Sequence, residues 1–278
     1  MMFSKTAVMF TAFNDGETIG DLIKKVIEIT KEKSDIWVIN DGSKDNTSKI
    51  AKKLDCCLVD LPENQGVGSA YKAGFSEIIK KGEKYKYVIK IDADGQHQPK
   101  FIPKIIRNLE NGFQLVVCSR FHERSCQNST PKDRSFLNWL YARELSQIIG
   151  SRVTDARSGF FGITLPVLKK ITPKLITPGY GIPMEVLLRT WQFIKEVKKW
   201  PNSWREEIIH PAIYDYAIHK NTRRHKMYQS EEWHHKIERF LTAYTALVTV
   251  LYDMGFNTHE ITQRISKQLA EHTEYLIG

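Results

Sequence analysis

The chain has little cysteine, no long apolar run, no low-complexity tract and no internal repeat. Its four cysteines, Cys56, Cys57, Cys118 and Cys126, show no metal-ligand spacing, which argues against a zinc module or a disulfide scaffold and suits a reducing cytoplasm. Cys56, Cys57 and Cys118 lie in or beside strand-like runs, where cysteine acts as a small apolar residue. The most apolar late stretch, Phe240 to Tyr252, is broken by Thr242, Tyr244, Thr245 and Thr249 and is too short and polar to span a bilayer. No signal peptide is evident, because Lys5 to Phe13 is short and reads as a first strand. The absence of repeats argues against a solenoid. There is no Gly-Lys-Ser/Thr phosphate loop, and Tyr71 stands where a dinucleotide fingerprint needs its third glycine. The one marked excess is basic: a formal charge of +9, which fits a phosphate-bearing partner without choosing among nucleotide, anionic lipid and nucleic acid.

Strand-like and helix-like runs alternate through the first half. Strands are expected at Thr6–Phe13, Asp35–Asn40, Cys57–Leu61, Tyr87–Ile91 and Leu115–Ser119. Helices are expected at Glu17–Glu32, from near Asp45, at Gly68–Lys80, after Pro99, and from about Arg134 to Ile149. This alternation predicts an α/β fold: a mainly parallel sheet with flanking helices, whose ligands collect beyond the carboxyl ends of the strands. Ser125–Asp133 reads as a loop, Pro201–Ser203 as a turn and Glu207–Ile213 as a further strand. A basic run, His219–Lys226, precedes two helices, about Glu231–Met254 and Thr258–Leu276. Gly255 is positioned to close the first, and Asn257 with Glu260 to open the second. Ile261, Ile265 and Leu269 form a stripe expected to pack on the body of the protein, a homodimer contact being its other reading. We therefore divide the chain into a catalytic domain at 1–218, with halves near 1–120 and 121–218, and a C-terminal helical extension at 219–278.

The polar clusters fall at the strand ends. Asp92-Ala93-Asp94-Gly95-Gln96-His97-Gln98-Pro99 follows the fourth strand. Two carboxylates one residue apart repel and desolvate badly, a conflict that a divalent cation shared with a diphosphate would resolve. Gln96 adds a neutral oxygen. The first strand ends in Thr11-Ala12-Phe13-Asn14-Asp15 and the second in Asn40-Asp41-Gly42-Ser43-Lys44-Asp45-Asn46-Thr47. Asp41 is a candidate acceptor for a base N–H, or an Asx turn leading into the next helix. Asn64-Gln65-Gly66-Val67-Gly68-Ser69-Ala70 follows the third strand, and Gly66 and Gly68 would let backbone approach a ligand at a helix start. Arg120, leaving the fifth strand, and Arg134, opening the next helix, offer planar forks suited to phosphate oxygens.

In order and jointly, these motifs resemble glycosyltransferase family 2, and within it the dolichyl-phosphate mannose synthase branch. Ser119-Arg120 matches that branch's Gly-Ser-Arg with Cys118 at the glycine, and Asp155-Ala156-Arg157-Ser158-Gly159-Phe160 matches its Asp-x-x-Ser-Gly-Phe. The resemblance covers about residues 6 to 215. It implies a GT-A fold in which Thr11, Asn14, Asp15 and Asp41 border the nucleoside. Asp92 would face ribose and metal, and Asp94 and Gln96 would ligate Mg²⁺ or Mn²⁺. It departs from the branch at Asn138, where relatives carry a serine, and at His219–Lys226, where they carry Gly-x-Ser-Lys. At Met184-Glu185-Val186 many family members have Glu-Asp, whose carboxylate deprotonates an acceptor hydroxyl. The missing aspartate favours a phosphate nucleophile, which needs no base. Glu185 stays open as base or as anchor of the acceptor loop, and Asp155 as a second acceptor-side candidate.

The expectation is a metal-dependent, inverting hexosyltransferase with a nucleotide-diphospho-sugar donor of GDP-mannose or UDP-glucose type. Its leading acceptor is a polyprenyl phosphate, reached from the cytoplasm by peripheral contact with the inner membrane face. Transfer to a hydroxyl of a glycan, small molecule or modified nucleic acid is the alternative, although no groove-reading motif supports nucleic acid. A non-catalytic nucleotide-sugar-binding module is the rival from another class. A sugar nucleotidyltransferase lacks its Gly-x-Gly-x-x-Arg loop.

Overall fold

In the computed structural model, residues 6–122, 132–197, 205–208 and 233–272 are described. Among the described residues seven strands form one mixed sheet: β1 (Thr6–Ala12), β2 (Asp35–Asp41), β3 (Cys57–Leu61), β4 (Tyr87–Asp92), β5 (Leu115–Ser119), β6 (Phe161–Thr164) and β7 (Arg205–Ile208). The order is β3-β2-β1-β4-β6-β5-β7. β1 through β4 run parallel, β5 and β7 pair in parallel, and β6 is antiparallel to both β4 and β5. The five strands expected through the first half are present with ends shifted by a residue at most; the further strand expected at Glu207–Ile213 overlaps β7 at residues 207–208, and β7 begins two residues earlier; β6 was not anticipated. β1 is central, buried on both faces, and accordingly reads as an unbroken apolar and Thr run.

Strand parity sorts the side chains onto two faces. Val8, Phe10, Ile89 and Ile91 pack beneath α1 (Ile19–Thr30), α2 (Thr47–Lys53) and α4 (Ile102–Glu110). Ala7, Met9 and Val88 face α3 (Val67–Lys80), α5 (Lys132–Ile149), α6 (Leu165–Ile171) and α7 (Ile182–Val197). Two C-terminal helices, α8 (Trp233–Asp253) and α9 (Thr258–Glu271), complete this second layer.

Both expected C-terminal helices are present within the described residues, residues 231–232 and 273–276 of the expected spans lying outside them, and of the expected Asn257–Glu260 pair Asn257 supplies the cap. Gly255 ends α8 with φ 82°, and Phe256 N–H returns to the Leu251 carbonyl at 3.0 Å. Asn257 caps α9 by accepting from His259 N–H at 3.1 Å. Ile261 and Ile265 are buried in the main core, with Leu269 packed against it. Burying each side chain stabilises the docking by roughly 1.5–3 kcal/mol. Arg264 adds two bonds to the buried Glu144 of α5, at 2.8 and 3.1 Å. The stripe therefore packs on its own chain.

Among the described residues no helix is long and apolar enough to cross a membrane. The Ser125–Asp133 loop up to residue 131, Cys126, the Pro201–Ser203 turn, the 209–213 part of the expected strand, the His219–Lys226 run and the 218/219 domain boundary lie outside the described residues.

Candidate active site

A cavity of about 320 Å³ opens beyond the carboxyl ends of β1, β2, β4 and β5. Register explains the convergence: Thr11 pairs directly with Asp92 across the β1–β4 ladder, and Ala12 with Asn40 across β1–β2. The cavity lining includes Thr11, Phe13, Asp15, Asp41, Asp92, Asp94, Gln96 and His97, with Gly66 and Tyr71 from the start of α3. Arg120, Arg134, Asn138, Arg157 and Tyr180 line the same cavity. Most of the residues expected from the sequence are thus brought together.

Backbone ties hold the loops that follow β1 and β2. Asp15 Oδ2 accepts from Phe13 N–H at 3.0 Å, and its own N–H donates to Thr47 Oγ1 at 3.1 Å. Asp41 lines the cavity while its two oxygens accept from Gln65 N–H at 2.8 Å and Gly66 N–H at 3.0 Å. Its turn-forming role reaches the β3–α3 loop rather than its own helix. Asn14, left-handed at φ 54°, lies outside the cavity wall. It bridges the β1–α1 and β2–α2 loops by donating its N–H to Ser43 Oγ and accepting from Lys44 N–H, both at 2.8 Å.

The Asp-x-Asp segment is fixed from both sides. Thr18 Oγ1 donates to the Ala93 carbonyl at 2.6 Å, and Asp94 Oδ1 accepts from Gln96 N–H at 3.0 Å. Lys90, fully buried on β4, donates to Asp92 Oδ1. His97 stacks on Phe160 (centroids 5.3 Å apart, 24° between planes) and its Nδ1 accepts from Asp92 N–H at 3.2 Å. That bond places the ring proton on Nε2. Burial lowers the His97 pKa against the opposing pull of Asp92 and Asp94, so the 3.6 Å approach of Nδ1 to Asp92 Oδ2 is proximity between a neutral ring and a carboxylate, not an ion pair.

The donor set suits a hard divalent cation: two carboxylates and an amide oxygen at one end of one cavity, the ligand type preferred by Mg²⁺ and Mn²⁺. Among the described residues no three His, Cys, Asp or Glu side chains are grouped to hold a metal unaided. A cation here would therefore complete its shell with oxygens from outside these side chains, from water or a bound phosphate.

Arg120 meets Asp155 through Nε at 2.7 Å and Nη2 at 2.9 Å. Asp155 is itself fully buried and outside the cavity wall, so it aims Arg120 instead of facing a ligand. Burial alone would raise its carboxyl pKa, but Arg120 and two backbone N–H groups outweigh this and hold it low. Asn138 spans Thr154 and Ala156, donating to the Thr154 carbonyl at 2.8 Å and accepting from Ala156 N–H at 3.1 Å. Glu185 is also fully buried and away from the cavity. Its carboxylate accepts from Ile176 N–H at 2.9 Å and Thr177 N–H at 2.8 Å, and from Arg189 Nε at 3.4 Å. Of the two roles left open, this geometry matches the loop anchor.

Gly68 also differs from its expected use. Its N–H donates to the Pro178 carbonyl at 2.8 Å, and a Cβ there would stand 2.1 Å from the Thr177 carbonyl oxygen. The small residue admits the chain's own 177–178 backbone, while Gly66 alone of the pair lines the cavity. Lys90, Tyr71, His97, Arg157 and Tyr180 received no role from the sequence; His97 and Arg157 lay inside motifs already singled out, which was the available signal.

Comparison with known proteins agrees with this architecture. The family model described as glycosyl transferase family 2 matches residues 7–172. An uncharacterized protein of Methanocaldococcus jannaschii is 30% identical over 77% of this chain and 84% of its own length. The dolichol-phosphate mannosyltransferase of Pyrococcus furiosus is 24% identical over 96% of this chain and 75% of its own. Among solved structures, glucosyl-3-phosphoglycerate synthase from Mycobacterium tuberculosis, in complex with Mn²⁺, UDP and glucosyl-3-phosphoglycerate, superposes with a TM-score of 0.64 at 18% identity, covering 91% of this chain and 81% of that one. With its GT-A sheet and a matched segment running from β1 into the end of α6, the chain belongs to glycosyltransferase family 2 and is a glycosyltransferase.

Proposed function

We propose that this enzyme moves a hexosyl group, with inversion, from a nucleotide-diphospho-sugar to a polyprenyl phosphate at the inner membrane face. The observation that carries the reading is that two sets of groups line one cavity: the acidic Asp92 and Asp94 with Gln96, and the basic Arg120 and Arg134. The second supports a phosphate, and the buried, loop-bound Glu185 leaves its usual catalytic position without access to an acceptor hydroxyl. An anionic phosphate oxygen attacks without a base. The relative from Pyrococcus furiosus, named for transfer to dolichol phosphate, supports the same acceptor class.

In this reading Thr11, Phe13, Asp15 and Asp41 border the nucleoside, and Gly66 lets the ligand pass close to backbone. Asp94 and Gln96, with Asp92 beside them, hold Mg²⁺ or Mn²⁺, which would neutralise charge on the departing diphosphate. Arg120, aimed by Asp155, and Arg134 hold the acceptor phosphate opposite the sugar. Transfer passes through an oxocarbenium-like state, so in-line placement of nucleophile and leaving group is what the protein supplies.

The test is incubation with labelled GDP-mannose or UDP-glucose, Mn²⁺ and a polyprenyl phosphate, following label into the organic phase. Lipid-linked sugar from wild type, and its loss in Arg120→Ala and Arg134→Ala with donor binding intact, is expected. Label reaching only a hydroxyl acceptor, or a bound donor that is never cleaved, would sink the proposal.

A further inference from the structure

Arg189 of α7 is only 3% exposed, and a guanidinium cannot shed its charge to suit burial. Two carboxylates meet it. Its Nε lies 3.4 Å from Glu185 Oε1 one turn earlier on the same helix, and its Nη2 donates to Oδ2 of Asp253, the last residue of α8. Glu185 is a poor counterion, because both its oxygens already accept from the Ile176 and Thr177 N–H groups. Asp253 therefore supplies most of the compensation. Nothing within α8 favours an acid there, since a carboxylate at a helix C-terminus faces the negative end of the macrodipole. Its partner on α7 accounts for it.

The loop that Glu185 fastens also rests on α8 directly. A Cβ on Gly181 would stand 2.3 Å from the Ala246 Cβ, and one on Gly179 3.4 Å from Thr242 Cγ2. Gly179 and Tyr180 line the cavity, as do Ile182 and Pro183 just beyond, so α8 backs this part of the lining. Neither Arg189 nor Asp253 lines it. The loop, α7 and α8 all lie beyond residue 172, where the family match ends. Without Asp253 the buried guanidinium would be left to Glu185 alone. A buried charge without compensation costs more than a weakened hydrogen bond, so the Glu185 carboxylate would turn to Arg189 and release part of its hold on residues 176 and 177.

We propose that Asp253 is a positioning residue for the acceptor: by holding Arg189 it leaves Glu185 free to fasten the 176–181 loop, so the C-terminal helices help set how tightly the acceptor binds. This rests on the acceptor reading above and deepens it by adding a determinant from outside the matched segment. Asp253 does not touch the ligand; it acts through Arg189 and Glu185.

The experiment uses the full chain and three readouts: kinetics with saturating donor and varied polyprenyl phosphate, calorimetric binding of UDP and GDP, and amide hydrogen exchange. Asp253→Asn is expected to raise the acceptor KM about three- to tenfold, the range of one hydrogen bond, with kcat changed by less than about twofold. Nucleotide affinity should stay at the wild-type value, and exchange at Ile176 and Thr177 should quicken. Asp253→Glu keeps the carboxylate and should restore both KM and exchange. Added to Arg189→Met, Asp253→Asn should change nothing further, because its only route to the loop is already gone. A lowered unfolding temperature with unchanged KM and unchanged exchange would mark Asp253 as merely structural. That result, additive losses in the double variant, or an equal loss of nucleotide affinity would each overturn the inference. Wild type that transfers no sugar to a polyprenyl phosphate would instead overturn the acceptor reading, and the exchange comparison would still decide whether Asp253 holds the loop.

Discussion

Asp155 receives Arg120 three times over: from Nε at 2.7 Å, from Nη2 at 2.9 Å and from the main-chain N–H at 3.1 Å. The carboxylate is wholly buried while the guanidinium keeps 18% of its surface exposed at the cavity. The pair is therefore asymmetric: one partner is structural, and the other is presented by it.

Asp155→Asn should cost about 3 kcal/mol of stability, because it strands a part-buried guanidinium. The carboxyl is held below its usual pKa, so its contribution is fully present above the unfolded value near 3.8 and is lost as pH falls through the lower folded value. Thermal unfolding followed from pH 5 downward should show a shallower acid decline in the variant. Parallel curves would refute the assignment.

Arg134→Ala should raise the KM for a polyprenyl phosphate at least about tenfold, the scale of one charge-assisted contact. Nucleotide binding measured without acceptor should be unchanged, since the proposed nucleotide contacts do not include Arg134. A matching loss of nucleotide affinity would move Arg134 to the donor.

Glu185→Gln replaces one accepting oxygen by an NH₂ that faces the Ile176 and Thr177 N–H groups, and should destabilise by about 1–3 kcal/mol. Turnover measured well below the melting temperature should fall less than about tenfold, the size of one hydrogen bond. Abolished transfer with normal stability and normal donor binding would restore Glu185 as a base.

Gly68→Ala places a methyl where the Thr177 carbonyl oxygen is 2.1 Å away. Backbone must move, at a cost of about 1–3 kcal/mol. Unfolding in urea that is indistinguishable from wild type would show that the contact is looser than described.

The parallel half of the sheet was legible because β1, β2, β4 and β5 are apolar runs bounded by polar turn residues. β6 was not, since Phe161–Thr164 is four residues long, follows the Asp155–Phe160 motif and passes straight into α6 without a turn. The Asp-x-Asp, Asp41 and Arg120 could be placed at the strand ends by position alone. What Asp155, Glu185 and Gly68 do depends on segments that return from elsewhere in the chain, and no local pattern announces such a return. Lys90 was hidden for a related reason: one lysine in an apolar run reads as a surface position until its partner Asp92, on the same face, is seen to hold it inside.

The contact of Gly68 with Pro178 has a consequence for how this scaffold can be altered. Glu185 fastens residues 176–177 to α7, and the same loop lies on the first turn of α3, whose leading residues Gln65 and Gly66 are held by Asp41. The pocket proposed for the base and the loop proposed for the acceptor are parts of one bolted frame. Grafting residues 175–181 from a relative to exchange acceptors would therefore succeed only if residues 64–68 travelled with them.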